Sequence, residues 1–134
     1  MVVHQVDGAI ETVHRIAADR PVAIGSSSHP AVIAAALAAT GLTDTFGVVV
    51  SSDEVEHGKP APDVYLEVAR RLGVAPASAL VVEDSRNGVL AAKAAGMTVV
   101  LVPNHSVPPL PGTAELADLV LDRLADLDPD TVRA

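Results

Sequence analysis

The sequence has no cysteine, and Phe46 and Tyr65 are its only aromatic residues. Without thiols it can form neither a disulfide nor a thiolate metal site. With so few rings, its core must be aliphatic, drawn from the abundant Ala, Val and Leu. Basic residues are scarce as well: 9 Lys and Arg stand against 17 Asp and Glu, for a net charge of −8. That balance excludes a nucleic-acid binder, whose affinity comes from a basic face, and disfavours an anionic membrane surface. A small phosphorylated metabolite stays compatible, because a few aimed donors can hold one phosphate on an acidic protein. No apolar run approaches the roughly 20 residues that span a bilayer. The N-terminus lacks the basic-then-apolar pattern of a secretory leader. A cytoplasmic location is expected.

What is present is a chain of 134 residues, 49% hydrophobic, enough for one domain over residues 1–134 with a single core. Strand-like and helix-like segments alternate along it. Residues 9–19 carry a helical period, and Pro21–Gly25 reads as a short buried strand ending in Ser26-Ser27-Ser28. Pro30 opens a helix with the stripe Val32, Ile33, Ala36 and Leu37, which Gly41 ends. Phe46–Val50 is a strand. Pro62 opens a helix with Val64, Tyr65, Val68, Ala69 and Leu72 inward and Gly73 as its stop. Ala79–Val82 is a strand running into Glu83-Asp84, residues 86–95 form an Ala-rich helix, and Thr98–Val102 is the next strand. A proline-rich loop (103–111), a short strand at Leu119–Leu121 and a helical tail complete the reading. Strand–helix alternation with short links predicts an α/β fold, a mainly parallel sheet with helices on both faces.

Ligands of open parallel sheets bind beyond the carboxyl ends of the strands. Three groups fall at such ends or in the following loop: Ser26 with Ser27 and Ser28, Lys59, and the pair Glu83-Asp84. A hydroxyl, an ammonium and paired carboxylates are what magnesium-dependent phosphoryl transfer requires. Each also has an ordinary explanation. Serines before a helix commonly cap it, a loop lysine is commonly solvated, and Asp63 at a helix start serves the dipole. Glu83-Asp84 is harder to explain away, since adjacent carboxylates repel by about 4 kcal/mol at about 4 Å in an effective dielectric near 20. Either a divalent cation or the helix N-terminus at Ser85–Asn87 would relieve them.

Three blocks, Val22–Ser28 (VAIGSSS), Gly58–Tyr65 (GKPAPDVY) and Val82–Gly88 (VEDSRNG) with Ala91–Met97 (AAKAAGM), resemble motifs II, III and IV of the haloacid dehalogenase superfamily. Order and spacing are similar to the subfamily of phosphoglycolate phosphatase and β-phosphoglucomutase, over roughly residues 6–125. The resemblance implies a Rossmann-like core and a phosphatase or phosphomutase acting on a small phosphorylated metabolite. It implies that Ser26 hydrogen-bonds the transferring phosphoryl group, that Lys59 neutralises it, and that the Ser27 and Ser28 N–H groups help cradle it. Asp84 would ligate Mg²⁺, and Glu83 would reach the metal directly or through water. A phosphoreceiver domain, the other acidic α/β candidate, places its lysine after the acidic pair, whereas here Lys59 precedes it.

The family's first motif, Asp-x-Asp-Gly after a strand, supplies the nucleophile, and no Asp-x-Asp-Gly occurs here. Gln5-Val6-Asp7-Gly8 could stand at that position with an amide in place of the nucleophile. The preferred alignment matches Val6–Glu11 to the segment that follows the family's cap, with the first motif and the cap lying upstream of Met1. Because the first-motif strand is central in the family sheet, Met1–His4 or a second copy of the chain is then expected to fill its place. A chain without that nucleophile is expected to be inactive on its own. The alternative reading is a non-catalytic module that binds phosphate, Mg²⁺ or a partner chain.

Overall fold

The computed structural model describes residues 9–103 and 108–128. They form α1 (Ala9–Ala17), β1 (Ala23–Ser26), α2 (Pro30–Thr40), β2 (Val48–Ser51), α3 (Asp63–Leu72), β3 (Leu80–Glu83), α4 (Arg86–Ala94), β4 (Thr98–Leu101), α5 (Thr113–Leu116) and β5 (Leu119–Val120). The strands are short and rich in valine, whose branched side chain fits a pleated surface buried on both sides. All their pairings are parallel. β1 pairs with β2 in the register Ser26↔Ser51, and β3 pairs with β4 in the register Glu83↔Leu101, with β5 beyond.

Alternation along the strands separates two core layers. Val81, Val99 and Leu101 join Ala23 and Val50 under α3 and α4. Val82, Val100 and Val102 face Val13 and Ile16 of α1, Ile33 and Leu37 of α2, and Leu124 and Leu127 near the C-terminus. Burying each such side chain contributes roughly 1.5–3 kcal/mol relative to leaving it exposed.

Helix ends follow local chemistry. His29 Nδ1 accepts from the Ala31 N–H at 3.1 Å, and Pro30 occupies the first turn of α2. Gly41 and Gly73 close α2 and α3 with φ of 72°, a left-handed conformation that glycine adopts without a Cβ clash. Ser85 caps α4 by accepting from the Gly88 N–H at 3.2 Å.

Some expectations needed correction. The inward stripe of α2 is only Ile33 and Leu37, while Val32 is 58% exposed and Ala36 is also outside. Phe46 is buried ahead of β2 rather than within it. The short α5 follows the proline-rich loop, where no helix was expected, and the described part of the tail carries a 3-10 turn, Leu124–Asp126. Among the described residues no strand pairs with β1 on the side away from β2, or with β3 on the side away from β4. Met1–His4, expected to fill that place, lie outside the described residues, as do Gln5 and Asp7.

Candidate functional site

The parallel register brings the carboxyl ends of β1, β2 and β3 to one rim, so Ser26, Ser51 and Glu83 are each the last residue of a strand. A cavity of about 500 Å³ opens there, lined by Ser26, Ser27, Ser28, Lys59, Glu83 and Asp84 together with Ser85–Asn87 and Pro108–Leu110. The six residues singled out from the sequence therefore share one cavity.

Lys59 is not a solvated loop lysine. Its side chain is 7% exposed and that of Glu83 2%, and its Nζ lies 2.5 Å from Glu83 Oε2. Nζ also donates to the Gly25 carbonyl at 3.2 Å and sits 4.7 Å from the centre of the Tyr65 ring. The Tyr65 hydroxyl donates to the same Glu83 oxygen. Glu83 Oε1 accepts from the Asp84 N–H at 3.2 Å and the Ser85 hydroxyl at 3.4 Å. Burial, with the Glu83 charge adding to it, pushes the Tyr65 hydroxyl well above its ordinary pKa. Tyr65 therefore stays protonated and acts as a donor.

Repulsion between Glu83 and Asp84 is thus relieved in a way the sequence did not suggest. Lys59 and Glu83, read separately as two site residues, neutralise each other. A carboxylate has about four acceptor positions, and the four donors around Glu83 take up that capacity.

Two glycines make the arrangement fit. A Cβ on Gly88 would lie 1.9 Å from Glu83 Cδ, so the carboxylate occupies the space a side chain would need. A Cβ on Gly25 would lie 2.9 Å from Val64 Cγ1 and 3.0 Å from Tyr65 Cε1, so α3 approaches β1 only because residue 25 has none.

The serine turn is held from β2. Ser26 Oγ accepts from the Ser28 N–H at 3.1 Å, which leaves the Ser26 hydroxyl proton available to another acceptor. It also takes up one of the two backbone donors expected to face phosphate. Ser51 Oγ donates to the Ser28 carbonyl at 2.6 Å and Ser52 Oγ to the Ser27 carbonyl at 3.2 Å. Ser51 and Glu54 form a capping box, and Arg71 ties Glu54 to Glu67 on α3. Asp63 accepts from the His57 N–H at 3.2 Å, so it anchors the loop that carries Lys59 as well as starting α3.

For a divalent cation the donors here are of the right kind, hard oxygens from Asp84 and the serine hydroxyls. Among the described residues, however, no group of three or more His, Asp or Glu side chains is gathered to hold one. An Asp-x-Asp does occur at Asp126-Leu127-Asp128, but it follows no strand, lacks the glycine and has Asp126 paired with Arg123 at 3.2 Å.

The haloacid dehalogenase-like hydrolase family matches residues 3–96. The chain belongs to that family. Fructose-1-phosphate phosphatase YqaB of Escherichia coli is 48% identical over 81 residues, which are 60% of this chain and 43% of that protein. The bifunctional riboflavin kinase/FMN phosphatase of Arabidopsis thaliana is 45% identical over 108 residues, 80% of this chain and 28% of that protein. A haloacid dehalogenase family hydrolase from Deinococcus radiodurans, solved with bound phosphate and sodium, superposes with a TM-score of 0.80 at 36% identity. That match covers 94% of this chain and 58% of the other. The chain thus spans about half the length, or less, of these relatives. Like the Deinococcus radiodurans hydrolase it superposes on, it carries an α/β core with a parallel sheet.

Proposed function

We propose that this haloacid dehalogenase-like chain supplies the phosphate-holding part of a magnesium-dependent phosphoryl-transfer site, of phosphatase or phosphomutase type, for a small phosphorylated metabolite. The observation that carries this reading is the buried Lys59 ammonium at the same cavity as Ser26 and Asp84. Glu83 offsets the charge of this buried ammonium, and Gly25 accepts a second of its N–H groups. An ammonium has three such donors, so one is left over at a cavity that also offers the Ser26 hydroxyl, which suits an oxyanion.

In this reading the Ser26 hydroxyl, its oxygen fixed by the Ser28 N–H, donates to a phosphoryl oxygen. Lys59 neutralises charge on the same group, and the Ser27 N–H adds a backbone donor. Asp84 would hold Mg²⁺, which would supply charge neutralisation at the phosphate oxygens. Glu83, with its acceptor positions taken, holds Lys59 in place instead of ligating the metal directly. Because no Asp-x-Asp-Gly is present, the chain alone binds phosphate without forming an aspartyl phosphate. That same absence favours the second reading, a binding module that does not turn over substrate. A second copy of the chain is a suitable partner for the sides of β1 and β3 that pair with no strand among the described residues.

Calorimetry with inorganic phosphate in the presence of Mg²⁺ tests the assignment. The parent chain should bind, and Lys59→Met and Ser26→Ala should each bind at least tenfold more weakly, as loss of a hydrogen bond to a charged group implies. Equal binding by all three would refute it. Turnover of p-nitrophenyl phosphate by the parent chain would refute the non-catalytic part alone.

A further inference from the structure

Tyr65 is the only tyrosine in the chain and is fully buried on α3. Its helix neighbours Val64, Val68 and Ala69 do what core residues do, and for that purpose a phenylalanine would serve equally well. The hydroxyl needs another explanation. It donates to Glu83 Oε2, the oxygen that also accepts from Lys59. The ring lies under the Lys59 ammonium and its edge rests on Gly25, whose carbonyl accepts from that ammonium. One side chain thus touches the lysine and its carboxylate acceptor, and packs where Gly25 lacks a Cβ.

An ammonium has three N–H donors. Glu83 takes one at 2.5 Å and Gly25 a second at 3.2 Å, which leaves a third on a residue that lines the cavity. The direction of that third donor depends on the positions of the other two acceptors. We propose that Tyr65 is a positioning residue, which fixes the Glu83 carboxylate and the Lys59 ammonium so that Lys59 presents one directed N–H to a tetrahedral oxyanion in the cavity. The oxyanion part of this rests on the phosphate-binding reading above; the fixing of Lys59 does not. Without the hydroxyl, Glu83 Oε2 keeps only the lysine as a donor. Oε1 keeps the Asp84 N–H and the Ser85 hydroxyl, so the carboxylate stays in place but Oε2 is held less firmly, and the lysine with it.

Sequence composition makes the test clean. Lys59 and Lys93 are the only lysines, so in Lys93→Arg protein the single lysine ammonium signal in ¹⁵N–¹H spectra belongs to Lys59. With one tyrosine, biosynthetic 3-fluorotyrosine reports on Tyr65 alone. The full chain, Tyr65→Phe and Lys59→Met are compared, with inorganic phosphate as the probe. In the parent, the Lys59 ammonium signal should be resolved and the ¹⁹F signal should move as phosphate is added. In Tyr65→Phe, which keeps the ring, the ammonium signal should broaden and phosphate affinity fall roughly tenfold, as loss of one hydrogen bond to a charged group implies. An unchanged ammonium signal and unchanged phosphate affinity in folded Tyr65→Phe would overturn the proposal. If the parent binds no phosphate, or Lys59→Met binds as well as the parent, the phosphate reading fails and the ammonium signal alone decides about Tyr65. Should Tyr65→Phe not fold, a fluorotyrosine signal in the parent that ignores saturating phosphate would count against positioning, and one that moves would count for it.

Discussion

Gly88→Ala sets a helix-stabilising substitution against a buried charge. Gly88 lies in the first turn of α4, where alanine would ordinarily stabilise by at most about 1 kcal/mol. The added Cβ would fall 1.9 Å from Glu83 Cδ and 2.1 Å from both carboxylate oxygens, so the carboxylate has to move. Moving it separates Glu83 from Lys59, a pair whose side chains are 2% and 7% exposed. Breaking a buried pair so that one charge is left alone costs about 3–5 kcal/mol. The net expectation is a loss of about 2–4 kcal/mol, or roughly 10 °C in Tm for a domain of this size. Urea unfolding followed by circular dichroism measures it. Gly47→Ala is the control, because nothing lies within 4 Å of a Cβ there, and it should change stability by less than about 1 kcal/mol. In a Glu83→Ala background the Gly88→Ala cost should vanish, since the obstructing carboxylate is gone. A Gly88→Ala chain as stable as the parent would refute the claim that Glu83 occupies that space.

On the proposed reading the parent should bind Mg²⁺ weakly and Asp84→Ala not at all, because among the described residues one carboxylate with hydroxyls is a poor set for a six-coordinate cation. Equal calorimetric binding by the two chains would remove Asp84 from the site. Glu67, hydrogen-bonded by Arg70 and Arg71, has its carboxyl held at about 2 instead of the ordinary 4.5. Its contribution to stability is therefore present above pH 4.5 and lost as pH falls through about 2, so Glu67→Gln should be the less stable chain at neutral pH and match the parent below that window. A difference that persists at the acid end would count against the ion pairs. Light scattering should find a dimer, since the edges of β1 and β3 that pair with no strand among the described residues would cost about 1–3 kcal/mol per backbone group if buried unmet. A monomer at every concentration tested would mean that those edges are covered within one chain.

Much of the architecture was legible because valine-rich segments bounded by proline and glycine leave few alternatives. Gly41, Gly73 and Ser85 end or start helices as their chemistry requires. That Lys59, Ser26 and Asp84 share one rim was legible from their place after strands, and all three line one cavity. What could not be read was pairing across the sheet. That Lys59 meets Glu83, 24 residues away, depends on loop geometry and on the room left by Gly88. Ser51 and Glu54 did carry a local signal, the capping-box spacing, but its use in clamping the serine turn is a tertiary fact. Tyr65 read as core from its period, and its hydroxyl partner lies on another element. Val32 and Ala36 were misplaced because an all-apolar helix has no polar face to mark its outside.

Lys59 also joins two parts of the sheet that share no strand pairing among the described residues. Through Gly25 it grips the end of β1, and through Glu83 the end of β3. The ammonium is therefore a mechanical cross-brace as well as a charge. On the proposed reading, an oxyanion that draws on its third N–H would load that brace and couple occupancy of the cavity to the stiffness of the sheet rim. Hydrogen exchange at the ends of β1 and β3 should then slow together when phosphate is added, and quicken together in Lys59→Met.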